Sequence, residues 1–421
     1  MATSATAKTD MSERLNKNPF EIYVNEYGSD DAKQLLERAK AMVPDLRSRI
    51  KEVDELRRLP QKTVDELHAN GIFKMLDPRR YGGAQLSFRE YMAIGSELGR
   101  GCGSTAWVVS LINMTKYLVA VSTKEKNHEE LFGTDKNINI CGVFEPRKCV
   151  IKKVEGGYFI EEGLWGFCSG SLHSDFFALA IPIVNEKGET IDSGTCLLPR
   201  SDVNIIDDWY TIAMRGTGSN SVTVKNVFVP EYRAYSTAKP IVGEFACDNL
   251  KGETLYNSAF LPVISLLLTA PALGMLRGAL EYIMERLPKR RIQFTKYDRQ
   301  LDSALTQKQL ADAIMRIDTA HMHVFRAAED IDLWAESGEY MSYEARARVR
   351  TDCSYAMTVA KEATDLIIML GGASALAESN LLQRIYRDMM AHVLHGFMNP
   401  PLIHEMYGAI FSGQEPNTTL I

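Results

Sequence analysis

The chain is 421 residues long, 45% hydrophobic, with a formal net charge of -6 at pH 7. That is enough apolar material for a large core in two or three structural units. The charge gives no basic field of the kind that binds phosphodiester backbones or acidic membranes, so neither nucleic acid nor membrane is an expected partner.

Residues 1–30 open the chain with a polar stretch that lacks an apolar signal core, which predicts a flexible tail. Over residues 31–135 apolar positions recur at helical spacing, through AKQLLERAKAMVPDLRSRIKEVDELRRLP, broken at Pro60, and KTVDELHANG, ending on Gly71. After the turn-rich DPRRYGGAQ come FREYMAIGSELGRG and the apolar STAWVVSLINMTKYLVAVS, with Ser104 or Thr105 available as cap. From 136 to 240 short β-branched and aromatic runs predict strands: INICGVF, GYFIEEGLWGF, FFALAIPIV, GTCLLPR, VNIIDDWYT and SVTVKNVFV. Residues 241–421 return to helical spacing over 257–288, 307–337, 342–370 and 375–397, which predicts an antiparallel bundle. The uncharged stretch 257–276 approaches membrane-span length, but two prolines and its run into GALEYIMERL make it a buried bundle helix. The expected fold is mainly α with a central β domain.

Seven cysteines, Cys102, Cys141, Cys149, Cys168, Cys196, Cys247 and Cys353, form no Cys-x-x-Cys pair. An odd, scattered set reads as reduced thiols in the cytoplasm. Asp388, His392 and His395 share one helical face, a spacing that evokes non-haem iron. Diiron bundles, however, need two Glu-x-x-His motifs, and the chain has one, from Glu125 to His128, so no metal is expected. Gly101-Cys102-Gly103 mimics a dinucleotide fingerprint but follows a helix instead of a strand, which argues against NAD.

In GIFKMLDPRRYGGAQLSFREYMAIGSELGRG, Pro78, Tyr81, Gly82 and Gly83 precede a helix carrying Glu97, Leu98 and Arg100. With GLWGFCSGSLHSDF and LLPRSDVNIIDDWYTIAMRGTGSNSVTVKNVFVPEYR, this resembles the acyl-CoA dehydrogenase superfamily. More narrowly it is similar to the group D two-component flavin-dependent monooxygenases of the p-hydroxyphenylacetate 3-hydroxylase oxygenase type, over about residues 40–421. The resemblance implies an N-terminal helical domain (31–135), a middle β-barrel-like domain (136–240) and a C-terminal four-helix bundle (241–421). It also implies a homotetramer, because relatives bury the bundle between subunits.

The implied activity is hydroxylation of a small aromatic substrate, phenolic or indolic, by O2 through a C4a-hydroperoxyflavin. A separate flavin reductase would supply reduced FMN, or reduced FAD as the alternative. Ser169 matches the serine whose hydroxyl faces flavin N5, and Trp165, Phe167 and Gly170 lie on the strand against the ring. Thr217, Gly218 and Ser219 form a small-residue loop whose N–H groups suit the flavin's phosphate or pyrimidine edge, and Arg291 lies where relatives carry a phosphate-proximal arginine. His395, read as helical, matches an active-site histidine able to accept a phenolic proton. Trp107, Thr115, Cys141 and His395 are the implied substrate contacts, with Thr115 standing where the phenol hydroxylases carry histidine. True acyl-CoA dehydrogenases need a carboxylate base near the C-terminus. Here Glu405, in IHEMYGAIFSG, is the nearest and lacks the motif, so α,β-dehydrogenation is the runner-up. N- or S-oxygenation on the same fold and a non-enzymatic flavin-binding interaction module are further alternatives.

Overall fold

Asn18 opens the first helix, its side chain accepting from the Phe20 N–H at 3.1 Å, and α1 (Pro19–Tyr27) buries Phe20 and Val24. The expected tail is therefore corrected from residue 18 onward. An Asn-Pro start and two apolar residues one turn apart hold a short helix on the core. The computed structural model describes residues 18–134 and 136–421, and the first 17 residues of that tail lie outside them.

The first unit continues with α2 (Asp30–Ser48), α3 (Ile50–Leu56), α4 (Gln61–Ala69), α5 (Phe88–Gly101), α6 (Gly103–Ser122) and α7 (Glu125–Leu131). Ser87 and Glu90 close a capping box at the start of α5. Neither Ser104 nor Thr105 caps α6. The helix restarts directly after one extended residue, Cys102, so both hydroxyls fall inside it and are buried. Every residue of α6 is buried, as expected for a helix apolar on all sides.

The β region comprises β1 (Ile140–Val143), β2 (Lys148–Val154), β3 (Gly157–Cys168), β4 (Phe176–Val184), β5 (Thr190–Pro199), β6 (Asn204–Ile205), β7 (Asn220–Pro230) and β8 (Ala234–Ser236). They form two four-stranded sheets, ordered β1-β4-β5-β8 and β2-β3-β7-β6, antiparallel except for β1 beside β4. Inward residues of both sheets, Trp165, Cys168, Phe177, Leu179 and Val222 among them, make one sandwich core. VNIIDDWYT pairs only at Asn204–Ile205. Beyond it the Asp208 and Trp209 N–H groups turn onto the Asn220 side chain, so the expected strand becomes a loop. Lysine-rich β2 and short β8 escaped the apolar-run criterion.

The last unit contains α8 (Ala238–Ile241), α9 (Phe260–Leu267), α10 (Ala270–Met284), α11 (Ala304–Ser337), α12 (Tyr343–Gly371), α13 (Leu381–Val393) and α14 (Pro400–Phe411). The stretch 257–288 is thus two helices, restarted where Pro271 sits in the first turn of α10. Both segments apolar enough for a membrane span, Gly103–Ser122 and Phe260–Lys289, are buried inside the protein. The 375–397 helix shortens to α13, which leaves His395 just beyond its end.

Helices before and after the β region share one core, the sandwich has its own, and a small third cluster joins Ala347 of α12 to Ile403 and Met406 of α14 and to Ile421. Glu97 and Arg100 of the α5 motif serve this junction: buried Glu97 pairs with Arg100 at 2.8 Å and with Arg277 of α10 at 2.9 Å. The crossing is close because glycines face each other. A Cβ on Gly274 would collide with the Ser96 carbonyl and lie 2.6 Å from Gly99 Cα. Gly274→Ala should therefore destabilise the fold by about 3 kcal/mol, read as a lower urea midpoint with an unchanged slope.

Candidate active site

β3 stays in register with β7 as far as Trp165 opposite Val222, then resumes at Cys168 opposite Asn220. The extra residue is a bulge, a device that re-aims side chains beside active sites. Phe167 sits on it with φ 61° and is 67% exposed, edge-on to Trp209 with the Arg147 guanidinium over its ring. Trp165 turns the other way, fully buried, its indole N–H donating to the Ala180 carbonyl at 2.8 Å. The expectation that Trp165 faces a flavin is corrected accordingly; its ring fills the sandwich. Cys141 is likewise a core residue where a substrate contact was expected, its Sγ 3.5 Å from Cys168 Sγ, and that contact, with burial second, pushes the Cys168 thiol well up.

Past the bulge Ser169 points at α6, where its hydroxyl accepts from the Trp107 indole N–H at 3.0 Å. Gly170, with φ 76°, lets the chain turn so that its N–H donates to the Thr217 carbonyl at 2.9 Å. That bond ties β3 to the turn before β7. There Ser169 Oγ meets Ser219 Oγ at 2.7 Å, Ser219 Oγ meets Thr217 Oγ1 at 2.6 Å, and Thr217 Oγ1 donates to the Met214 carbonyl at 2.9 Å. The Gly218 carbonyl accepts from Ser171 Oγ. Met214, left-handed at φ 49°, is pinned by its N–H donating to Asp388 Oδ1 at 2.6 Å. Asp388 also lies 3.5 Å from Arg384. Sequence reasoning placed Asp388 only as a metal candidate and gave Met214 no role; the left-handed backbone that joins them leaves no sequence signal.

Trp107 is the centre of the arrangement. His392 stands edge-on to it at 5.0 Å between ring centroids, and His395 at 5.4 Å. Both imidazoles are held neutral: burial, then the neighbouring His395, lowers His392 to about 3, and burial lowers His395 to about 4. Among the described residues neither nitrogen of His392, nor Nδ1 of His395, has a hydrogen-bond partner. Thr115 lies two turns along α6 from Trp107, buried and packed beneath Gly142, its hydroxyl without a partner among the described residues.

Arg291 does not join this group. It is exposed and pairs with Asp298 at 3.6 Å, while its neighbours Arg286, Lys289 and Arg290 line a cavity of about 360 Å³ with Tyr282, Ser374 and Asn380. Glu405 is exposed on α14.

Comparison with known proteins decides what these residues belong to. Models of the acyl-CoA dehydrogenase N-terminal and C-terminal domains match residues 29–131 and 266–400. The flavin-dependent monooxygenase oxygenase subunit HsaA of Mycobacterium tuberculosis is 30% identical over 93% of this chain and 98% of its own. The chain belongs to the flavin-dependent monooxygenases and is an oxygenase component on the acyl-CoA dehydrogenase fold. The p-hydroxyphenylacetate 3-hydroxylase oxygenase component of Acinetobacter baumannii is similar at 25% identity over 92% of this monooxygenase and 91% of its own length. XiaF from Streptomyces sp., solved with FADH2 and glycerol, superposes with a TM-score of 0.86 at 29% identity, covering 92% of this chain and 97% of its own. The monooxygenase's own residues fit a flavin: an exposed aromatic ring on a bulge, a hydroxyl beside it, and buried polar atoms on α6, α13 and the turn after it that have no partner among the described residues.

Proposed function

We propose that this monooxygenase hydroxylates a small phenolic or indolic substrate between α6 and the turn after α13, with the N5 edge of the flavin at Ser169. The observation that carries the reading is Trp107, which commits its indole N–H to Ser169 while its ring meets two neutral imidazoles. Reduced flavin delivered by a separate reductase supplies the electrons that activate O2. The chain's residues do the rest. Phe167 offers its exposed ring to the isoalloxazine, and the Gly170 and Thr217–Ser219 backbone frames it. His395, itself half-buried, accepts the phenolic proton at Nδ1, an atom closed to solvent, and buried His392 beside it keeps water out.

FMN is the proposed flavin, with FAD as the alternative; the cavity beside Arg290, in place of Arg291, is the basic surface open to a phosphate. Exposed Met315, Met322 and Leu333 on α11 and Met369 on α12 suit burial in a homotetramer, and seven free thiols suit the cytoplasm. Thr115 supports a second reading. A hydroxyl binds a substrate without taking its proton, which suits oxygenation at sulfur or nitrogen as well as at an indole carbon.

The test supplies reduced FMN or FAD to the protein with phenols, indoles and thioethers, and detects the added oxygen atom by mass spectrometry. His395→Ala should cut phenol hydroxylation about 100-fold. Oxygen transfer to thioethers alone would replace the aromatic reading with the second one.

A further inference from the structure

We propose that Ser219 and Thr217 are positioning residues that fix the direction of the Ser169 hydroxyl, so that the site takes reduced flavin in preference to oxidised flavin. The inference rests on the reading that Ser169 meets flavin N5.

The two ends of the hydroxyl chain have fixed polarity. At one end the Trp107 indole N–H can only donate, and it donates to Ser169. At the other the Met214 carbonyl can only accept; it receives Thr217 Oγ1, the Thr217 N–H at 3.2 Å and the Trp209 indole N–H at 3.1 Å. Three hydroxyls with one proton each lie between. In the forward sense Ser169 donates to Ser219, Ser219 to Thr217 and Thr217 to Met214, and every proton has an acceptor. In the reverse sense Thr217 Oγ1 and the Met214 oxygen would face each other lone pair to lone pair at 2.9 Å, and the Ser169 proton would leave the chain for the site. The forward sense is favoured, and each bond in it polarises the next. The Asp388 carboxylate holds Met214 in place, so the accepting end does not move.

In the forward sense Ser169 shows the site a lone pair and no proton. Reduced flavin carries a hydrogen on N5 and oxidised flavin a lone pair. The chain therefore accepts from the first and opposes the second, unless all three hydroxyls turn together and give up the Thr217–Met214 bond. An oxygenase component that receives reduced flavin and must release it oxidised needs this bias.

Titration of oxidised FMN in air, and of reduced FMN without oxygen, measures the ratio of the two dissociation constants. Ser219→Ala cuts the chain, frees the Ser169 proton to donate, and should lower the oxidised-to-reduced ratio about tenfold. Thr217→Val should act in the same direction, and Thr217→Ser should restore the wild-type ratio. In the flavin-free protein both Ser219→Ala and Thr217→Val should shift the Trp107 indole N–H resonance, one of four tryptophan signals. A ratio within twofold of wild type in Ser219→Ala and Thr217→Val, with Ser169→Ala changing it, overturns the chain and leaves the placement of Ser169 intact. A ratio unmoved by Ser169→Ala overturns the placement itself and the chain with it.

Discussion

Replacing Ser169 with alanine should divert most of the reduced flavin's electrons from product to hydrogen peroxide. Among the described residues this hydroxyl alone joins the bulge of β3, the Trp107 indole and the Thr217–Ser219 turn. Its loss removes one contact to the flavin edge and strands another group, because the Trp107 N–H is buried with no substitute acceptor, while the Ser219 hydroxyl keeps Thr217 Oγ1. A buried donor left unsatisfied costs about 1–3 kcal/mol. A loss of that size from the productive path lowers the product-to-peroxide ratio about 10- to 100-fold. Peroxide release and hydroxylated product, measured together at equal flavin consumption, give that ratio directly. An unchanged ratio would remove Ser169 from the chemistry and return it to the role of a turn residue.

The helices and the main strands were legible in the sequence because their signals are periodic. Apolar spacing located α2, α5, α6, α11 and α12, and β-branched runs located β3, β4 and β7. What failed was local geometry. The 375–397 pattern continued through His395, yet α13 ends at Val393 with Leu394 exposed, and no glycine or proline announces the end before Gly396. The difference matters, since a histidine in a turn reaches Trp107 from a direction that a helical one does not.

The site was legible by resemblance and only partly by residue type. Ser169, Thr217 and Ser219 were singled out, but their mutual hydrogen bonds depend on a bulge and on a left-handed methionine, neither of which has a composition signature. Trp165 and Phe167 carry the same aromatic signal two residues apart, and strand alternation alone would put both on one face. The bulge separates them, burying one and exposing the other. His392 was read only as a metal candidate because its spacing to Asp388 is that of a helix face. In the fold Asp388 is occupied by the Met214 N–H and Arg384, while His392 turns to Trp107.

Lowering the pH from 7.5 to 5 should destabilise the protein strongly, and the buried histidines are the reason. Burial, the largest cause in each case, holds His128, His173, His321 and His395 at about 4 and His392 at about 3. The unfolded chain carries the same side chains near the ordinary value of about 6.5. Protons therefore bind the unfolded state first as the pH falls. The stability is complete above about 6.5 and is lost from there down towards the folded values, at about 1.4 kcal/mol per pH unit for each histidine. Three buried carboxylates oppose this, since burial raises Asp332 to about 6 and also raises Asp77 and Asp388, so that the folded state takes up their protons first. Five histidines against three carboxylates leave a net loss of stability by pH 5. Urea midpoints at the two pH values measure it, and a midpoint that holds or rises at pH 5 contradicts the burial account. Histidine ring resonances give the site-specific version, because at least five of the eight should fail to titrate between pH 8 and 5.5. A His395 signal that titrates near 6.5 would contradict the burial account at that residue, while leaving the imidazole mostly neutral at pH 7.5 and better matched to accepting a phenolic proton.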